Sequence, residues 1–278
     1  MNKEEARRQF AEIVSRPENE LELDRAALLI AAEEYPQLDV EKYLAQLDRF
    51  ADEWRDRHRA QPDPLLRLLS LNDQLFNQLG FHGNTEDYYD ARNSFLNDVM
   101  DRRSGIPISL SVIYIEVARR LSLPVFGVGM PGHFLVKYRD GERDVIIDPF
   151  HAGRILSVER CAEMFEGMYH ETIRFQSSFL NEVTKKQILT RMLLNLKGVY
   201  ARVPDHPRTI AIIERTLLLT PGAMTEIRDR GLAQLELGRY RQALADLEAY
   251  LHCLPQAEDA DEIREKITEV RQRQARLN

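Results

Sequence analysis

The hydrophobic pattern of this chain changes character in one place, and that place limits the folds open to it. Between Pro124 and Asp148, three short runs rich in β-branched and aromatic residues interrupt the helical spacing on either side. They are Pro124–Gly129, His133–Tyr138 and Asp144–Asp148. Gly141 lies between the last two, so those two are expected to pair as a hairpin. No other stretch reads convincingly as strand. The predicted fold is therefore α+β and mainly helical, with a small antiparallel sheet.

Three regions are expected around that sheet. Residues 1–61 read as helices packed on the core. An apolar run from Leu21 to Ala31 ends at Glu33-Glu34-Tyr35-Pro36, and Asp39 can cap a second helix that carries Tyr43, Leu44, Leu47, Phe50, Ala51 and Trp54. Gln61-Pro62-Asp63-Pro64 is a natural break. Residues 62–183 form the core, with helix-like segments over 65–79 and 94–102 and a further helix after Gly105. Gly80-Phe81-His82-Gly83-Asn84 reads as a loop. Residues 184–278 return to helix.

The last region contains a repeat. Pro221 and Pro255 are 34 residues apart, the tetratricopeptide period. Gly231, Gly238, Tyr240, Ala243 and Leu247 fall at that repeat's offsets, whereas Arg230 and Tyr250 occupy positions usually held by Leu and Ala. Two helix–turn–helix units are expected, each ended by its proline, with a charged capping helix over 259–277. Two units and a cap are too few for a free solenoid, so they are expected to pack on the core.

Bulk properties exclude several classes. With 44% hydrophobic and 30% charged residues, the chain can bury a core. A net charge of -7 and a pI near 5.6 argue against a nucleic-acid partner, whose phosphates need Lys and Arg. No apolar run approaches the roughly 20 residues of a membrane span, and the N-terminus has no signal-peptide pattern. The two cysteines, Cys161 and Cys253, form neither a metal-binding spacing nor a disulfide framework, which fits a reducing cytoplasm.

Chemistry-bearing residues concentrate around the β-rich stretch. In Arg103-Ser104-Gly105-Ile106-Pro107, a loop ends and a proline opens a helix, a position where its missing N–H costs nothing. The helix that follows is apolar on most sides and is expected to be buried. His133 then lies near the start of one strand, and Asp148 at the end of the next.

This order resembles that of transglutaminase-like, papain-like proteins, in which a nucleophile at a helix N-terminus is followed by a His and then an Asp. Gly132-His133-Phe134, Ile147-Asp148-Pro149 and the exit Ala118-Arg119-Arg120-Leu121-Ser122-Leu123-Pro124 carry the resemblance. Counting back from that exit puts Pro107 in the nucleophile slot. More specifically, the chain resembles the SirB family of bacterial proteins, which join such a domain to tetratricopeptide repeats. Asn93–Leu96, Arg102–Leu110, Gly129–Val136, Asp148–Phe150, Ala26–Ala31 and Glu34–Pro36 carry that likeness.

The resemblance implies a papain-like core in which His133 and Asp148 are a retained or vestigial dyad and Pro107 replaces the catalytic Cys. Proline cannot attack a carbonyl. Ser109 or Ser111 could face the same pocket, although a helical Ser is more often structural. Cys161 comes after Asp148, out of the expected order. His82 and Asn93, with Asn84 and Tyr88, could line the cleft, or simply close turns. His82, His133, His151 and Asp148 lack a recognised metal-ligand spacing, so no metal and no cofactor are expected. The leading reading is a non-catalytic protein that binds a peptide or protein partner, with regulation as one use of that binding, through the cleft or the repeats. The alternatives are a hydrolase or acyltransferase with a displaced nucleophile or a His-activated water, and a structural scaffold.

Overall fold

The structure is a computed structural model that describes residues 1–58, 61–141, 143–169 and 173–275. It divides into two compact units, Met1–Met192 and Leu193–Asn278. The first contains helices α1 (Lys3–Ser15), α2 (Leu23–Ala32), α3 (Val40–His58), α4 (Pro64–Asn72), α5 (Leu96–Arg102), α6 (Pro107–Arg120) and α7 (Val158–Tyr169), together with the start of α8 (Lys185–Arg202). Its strands are β1 (His82–Gly83), β2 (Ser104–Gly105), β3 (Val125–Val128), β4 (Leu135–Arg139), β5 (Asp144–Asp148), β6 (Arg154–Leu156) and β7 (Glu182–Val183).

The sheet runs β6-β5-β4-β3-β7, and every neighbouring pair is antiparallel. The expected hairpin is β4–β5, with Val136 opposite Ile147 and Arg139 opposite Asp144. Three corrections to the sequence reading follow. The sheet gains β6 and β7, which are too short for alternation to be legible, so only their neighbours reveal them. The loop at His82–Gly83 pairs in parallel with Ser104–Gly105, a contact across some twenty residues that composition cannot signal. Finally, β4 begins at Leu135 rather than His133, because Met130-Pro131-Gly132-His133 is a turn closed by a 3.0 Å bond from the His133 N–H to the Met130 carbonyl.

Both faces of the sheet are covered. Val128, Leu135, Ile146 and Leu156 share one face by register and cluster with Cys161 and Phe165 of α7. The helix α6 packs on the sheet as well, and every residue from Pro107 to Ala118 is buried. Its start is fixed by Pro107 at the first helical position. Before it, α5 ends at Arg103 in the left-handed region (φ 58°), with the guanidinium over the rings of Phe50 and Phe81.

A buried ion network holds the far end of α6. Asp24 of α2 accepts from Arg120 at 2.7 Å, Glu116 accepts from Arg119 at 2.8 Å and from Arg120 at 3.0 Å, and Arg120 reaches Asp48 of α3 at 2.6 Å. Burial pushes Asp24 up, but Arg120 outweighs it and holds that carboxyl below its ordinary value. Burial pushes Glu116 up to about 7, and the neighbouring Asp24 charge adds to the shift.

The second unit contains the rest of α8, then α9 (His206–Leu219), α10 (Met224–Glu236), α11 (Tyr240–Cys253) and α12 (Ala260–Ala275). Pro221 and Pro255 each stand just past a helix end. The capping helix is described to Ala275, and Leu277 lies outside the described residues. Both departures from the repeat pattern have partners. Arg230 makes paired 2.7 Å bonds to Asp246, and the Tyr250 hydroxyl donates to Asp259 at 2.6 Å. No described helix is long and apolar enough to cross a membrane.

The raised pKa of Glu116 has a pH signature. The folded state keeps a proton that the unfolded chain releases near pH 4.5, so this group removes stability as pH rises towards about 7. Glu116→Gln cannot titrate. Its stability relative to the parent is therefore expected to climb across that window, measured by urea unfolding at closely spaced pH values. A difference that stays constant would refute the assignment.

Candidate functional site

The site is built from two polar clusters that the fold brings to one end of the sheet. The first fixes the start of α6. The Ser109 hydroxyl donates to the Asn93 carbonyl at 2.6 Å and accepts from the Ile106 N–H at 3.1 Å. Asn93 is fully buried, and its amide donates to the carbonyls of Asp87 at 2.6 Å and Tyr88 at 3.2 Å. Its Oδ1 accepts from the Asn84 amide at 3.0 Å. Asn84 Oδ1 in turn accepts from the N–H groups of Glu86 and Asp87, a turn-closing pattern typical of Asn. Asn93 and Ser109 thus spend their polar atoms organising the loop over 84–93. That loop exposes Tyr88 and Tyr89. His82 is exposed, and its Nδ1 lies 3.0 Å from the Gly80 carbonyl.

The second cluster centres on Asp148, which is almost completely buried. Its Oδ2 lies 2.9 Å from His133 Nε2 and 2.7 Å from His151 Nδ1. Its Oδ1 accepts from the N–H groups of Phe150 at 3.0 Å and His151 at 3.3 Å, which caps the short turn Pro149–His151. Burial pushes the Asp148 carboxyl up, but the His133 hydrogen bond and charge, then those of His151, outweigh it and hold the pKa below its ordinary value. An ionised carboxylate only accepts, so the ring nitrogens facing it must both carry protons. In the neutral ring, His133 Nδ1 is then the basic nitrogen, the state a general base requires.

Local backbone explains why His133 reaches this carboxylate. Gly132 has φ +76°, and with Pro131 before it the turn fits the Pro-Gly preference of a type II turn. Carried two residues beyond the start of β4, the hairpin register places His133 opposite Phe150, and the two rings meet edge to face at 6.2 Å. Phe150 in turn packs so tightly on Gly83 that a Cβ there would lie 2.6 Å from its ring. Since Gly83 pairs with Gly105, two residues before Pro107, the dyad and the helix start share one neighbourhood.

The other candidate nucleophiles are placed unfavourably for attack. Cys161 is fully buried in the apolar cluster, and burial, then the Asp148 charge, push its thiol up to about 11, the reverse of activation. Ser111 is buried, and its Oγ bonds to no group among the described residues, His133 included. His82 is absent from the group with metal-binding spacing. That group is His133, Asp148 and His151, each with a ligand atom within 4.8 Å of the others. These three could hold a metal ion, but the carboxylate oxygen already takes a proton from each ring, and an ion would have to displace both.

Two members of the site were not foreseen in these roles. His151 is the second imidazole on Asp148. Its signal was available, because an Asp that caps a short turn readily meets a side chain three residues on. The other is Arg191 of α8, which donates to the carbonyls of Met130 at 3.0 Å and His133 at 2.8 Å and lies over the Phe134 ring. Nothing in the sequence links it to a histidine 58 residues earlier.

Comparison with known proteins agrees with this architecture. Residues 41–194 match a family described as the transglutaminase-like superfamily, and residues 196–268 match the tetratricopeptide repeat. The chain belongs to the transglutaminase-like superfamily, with tetratricopeptide repeats following that domain. Its relatives include a UPF0162 protein of Xylella fastidiosa, 40% identical over 247 residues, covering 88% of each chain. A UPF0162 protein of Vibrio cholerae is 27% identical over 235 residues, covering 84% of this chain and 87% of that one. Mouse F-box only protein 21 is 38% identical over 143 residues, which is 49% of this chain and 22% of that protein. The SirB-type arrangement expected from the motifs accords with these matches.

Asp148→Asn would turn an amide donor towards imidazole N–H groups. It is expected to lower stability at neutral pH by roughly 2–4 kcal/mol, measured by chemical denaturation. Because the folded pKa lies below the ordinary value, the contribution of this carboxylate is complete above that value and is lost as pH falls through the depressed one. The Asn variant should lack this acid loss, so the two stability curves should converge at low pH.

Proposed function

We propose that this protein holds an extended peptide segment of a protein partner beside His133 and Asp148 without cleaving or transferring it, with the repeats as a second partner-binding surface. The observation that carries this reading is Pro107 as the first residue of α6. It stands where the resemblance puts the attacking thiol. Ser109 is committed to Asn93, and Cys161 is held protonated in the core. Large side chains stand exposed around the turn that carries His133, namely Tyr88 and Tyr89 from the loop and Met168 from α7. Exposed aromatics around a polar centre suit peptide recognition. Concave repeat surfaces commonly take peptides, and the second unit has a cavity of about 390 Å³ lined by Lys197, Tyr200, His206 and Leu232 among others. Free Cys161 and Cys253 fit a cytoplasmic, reducing setting.

One observation favours a second reading, a hydrolase that uses water. The His133–Asp148 pair has the bond length and the ionised carboxylate that general-base catalysis needs. The two readings separate on turnover. Purified protein is expected to leave broad panels of peptide, amide and ester substrates intact while selecting peptides from a random library. Turnover that disappears in His133→Ala would replace the binding reading with the hydrolytic one.

Pro107→Cys, in a Cys253→Ser background that removes the exposed thiol, tests the slot itself. A thiol at this helix start beside an imidazole should react with iodoacetamide at mildly acidic pH at least about tenfold faster than free cysteine. The advantage should vanish when His133→Ala is added. A thiol there that reacts, but no faster than in the His133→Ala variant, would show that position 107 does not face the dyad.

A further inference from the structure

Among the described residues, Arg191 is a cation without an anion. It is half-buried, and burial, weighing against its charge, pulls its pKa below the ordinary range. Among the described residues, no carboxylate pairs with it. Its hydrogen bonds go to the two main-chain carbonyls of the His133 turn, which leaves three of five N–H donors, Nε–H included, without a hydrogen-bond partner among the described residues. A half-buried guanidinium is ordinarily matched by an acid, since two neutral carbonyls and the face of the Phe134 ring offset only part of its desolvation.

What faces this charge is informative. Among the described residues, the ionisable groups that act on it are two phenols, Tyr88 and Tyr169. Tyr88 comes from the loop over 84–93 and packs against Phe150, itself in contact with His133. Tyr169 ends α7, stacks on Phe165, and lies against Gly132, where a Cβ would come within 3.4 Å of its ring. Neither hydroxyl has a hydrogen-bond partner among the described residues. Elements distant in sequence thus bring one guanidinium and two tyrosine rings to the neighbourhood of the His133 turn, and each phenol O–H can donate.

We infer that Arg191, with Tyr88 and Tyr169, is a receptor for a single carboxylate of the bound peptide, seated next to His133. The inference rests on the peptide-binding reading and adds a ligand chemistry to it. One formal positive charge matches a monoanion better than a phosphate dianion, and the planar guanidinium fork with flanking hydroxyls suits a carboxylate. The carboxylate can come from a chain terminus or from an Asp or Glu side chain.

The test is an NMR titration of the full chain. The Arg191 Nε–H resonance is assigned by its loss in Arg191→Lys. Three N-acetylated alanine-based pentapeptides are compared: one with a free C-terminus, its C-terminal amide, and an amide with a central glutamate. A saturable shift of the Arg191 signal is expected with a carboxylate-bearing peptide, and binding at least about tenfold weaker with the plain amide. Which of the two acidic peptides acts identifies the source. Tyr88→Phe with Tyr169→Phe, which leaves the turn's hydrogen bonds untouched, should weaken the acidic peptide several-fold and leave the plain amide unchanged. If Arg191 only braces the turn, that double variant binds all three peptides as the parent does, and the receptor is overturned. Equal affinity for acid and amide also overturns it, yet leaves peptide binding standing. Cleavage of a peptide during the titration, with the Arg191 shift intact, removes the non-catalytic reading and spares the receptor.

Discussion

A carboxylate buried in a protein is costly unless its lone pairs are filled, and Asp148 fills them with four N–H groups. Two come from imidazoles and two from the backbone just after it. Those bonds make the short turn Pro149–His151, and the turn aims the Phe150 ring at His133 and Gly83. Through Gly83 the same ring supports the strand pair that leads into α6. One acid at the end of β5 therefore sets the tautomers of two histidines and the position of the helix start. Arg191 secures the opposite side by holding the carbonyls of the turn that precedes His133.

The helix start has its own support. Asn93 and Ser109 tie the loop over 84–93 to the first turn of α6, and α6 is anchored at its other end by Arg119, Arg120, Glu116 and Asp24. None of these bonds involves the residue at position 107. The fold can hold its dyad, its loop and its buried helix in place with proline at position 107.

Much of this was legible in the chain, for identifiable reasons. The β4–β5 hairpin follows from two β-rich runs around Gly141, the start of α6 from Gly105-Ile106-Pro107, and the repeat helices from two prolines one period apart. Each is a local pattern. What escaped was non-local. The strands β6 and β7 are too short to alternate, and His82–Gly83 becomes a strand only because Ser104–Gly105 lies beside it. At the site, His133 and Asp148 were marked by motif, and their contact is a direct hydrogen bond. The engagement of Asn93 and Ser109 with backbone, rather than with an open cleft, depends on which loop lies against them. Arg191 gave no sign at all, since an arginine in an amphipathic helix usually faces water.

The proline at position 107 removes more than a side chain. The free amides of a helix's first turn point outwards and can cradle the negative oxygen that develops when a carbonyl is attacked. A residue at the first helical position offers one such amide, and proline has none. Where the resemblance places the nucleophile, the residue at this position therefore governs two parts of acyl-transfer chemistry together, the attacking atom and one donor of an oxyanion hole. A cysteine in the same place would supply both, a thiol and a free first-turn amide.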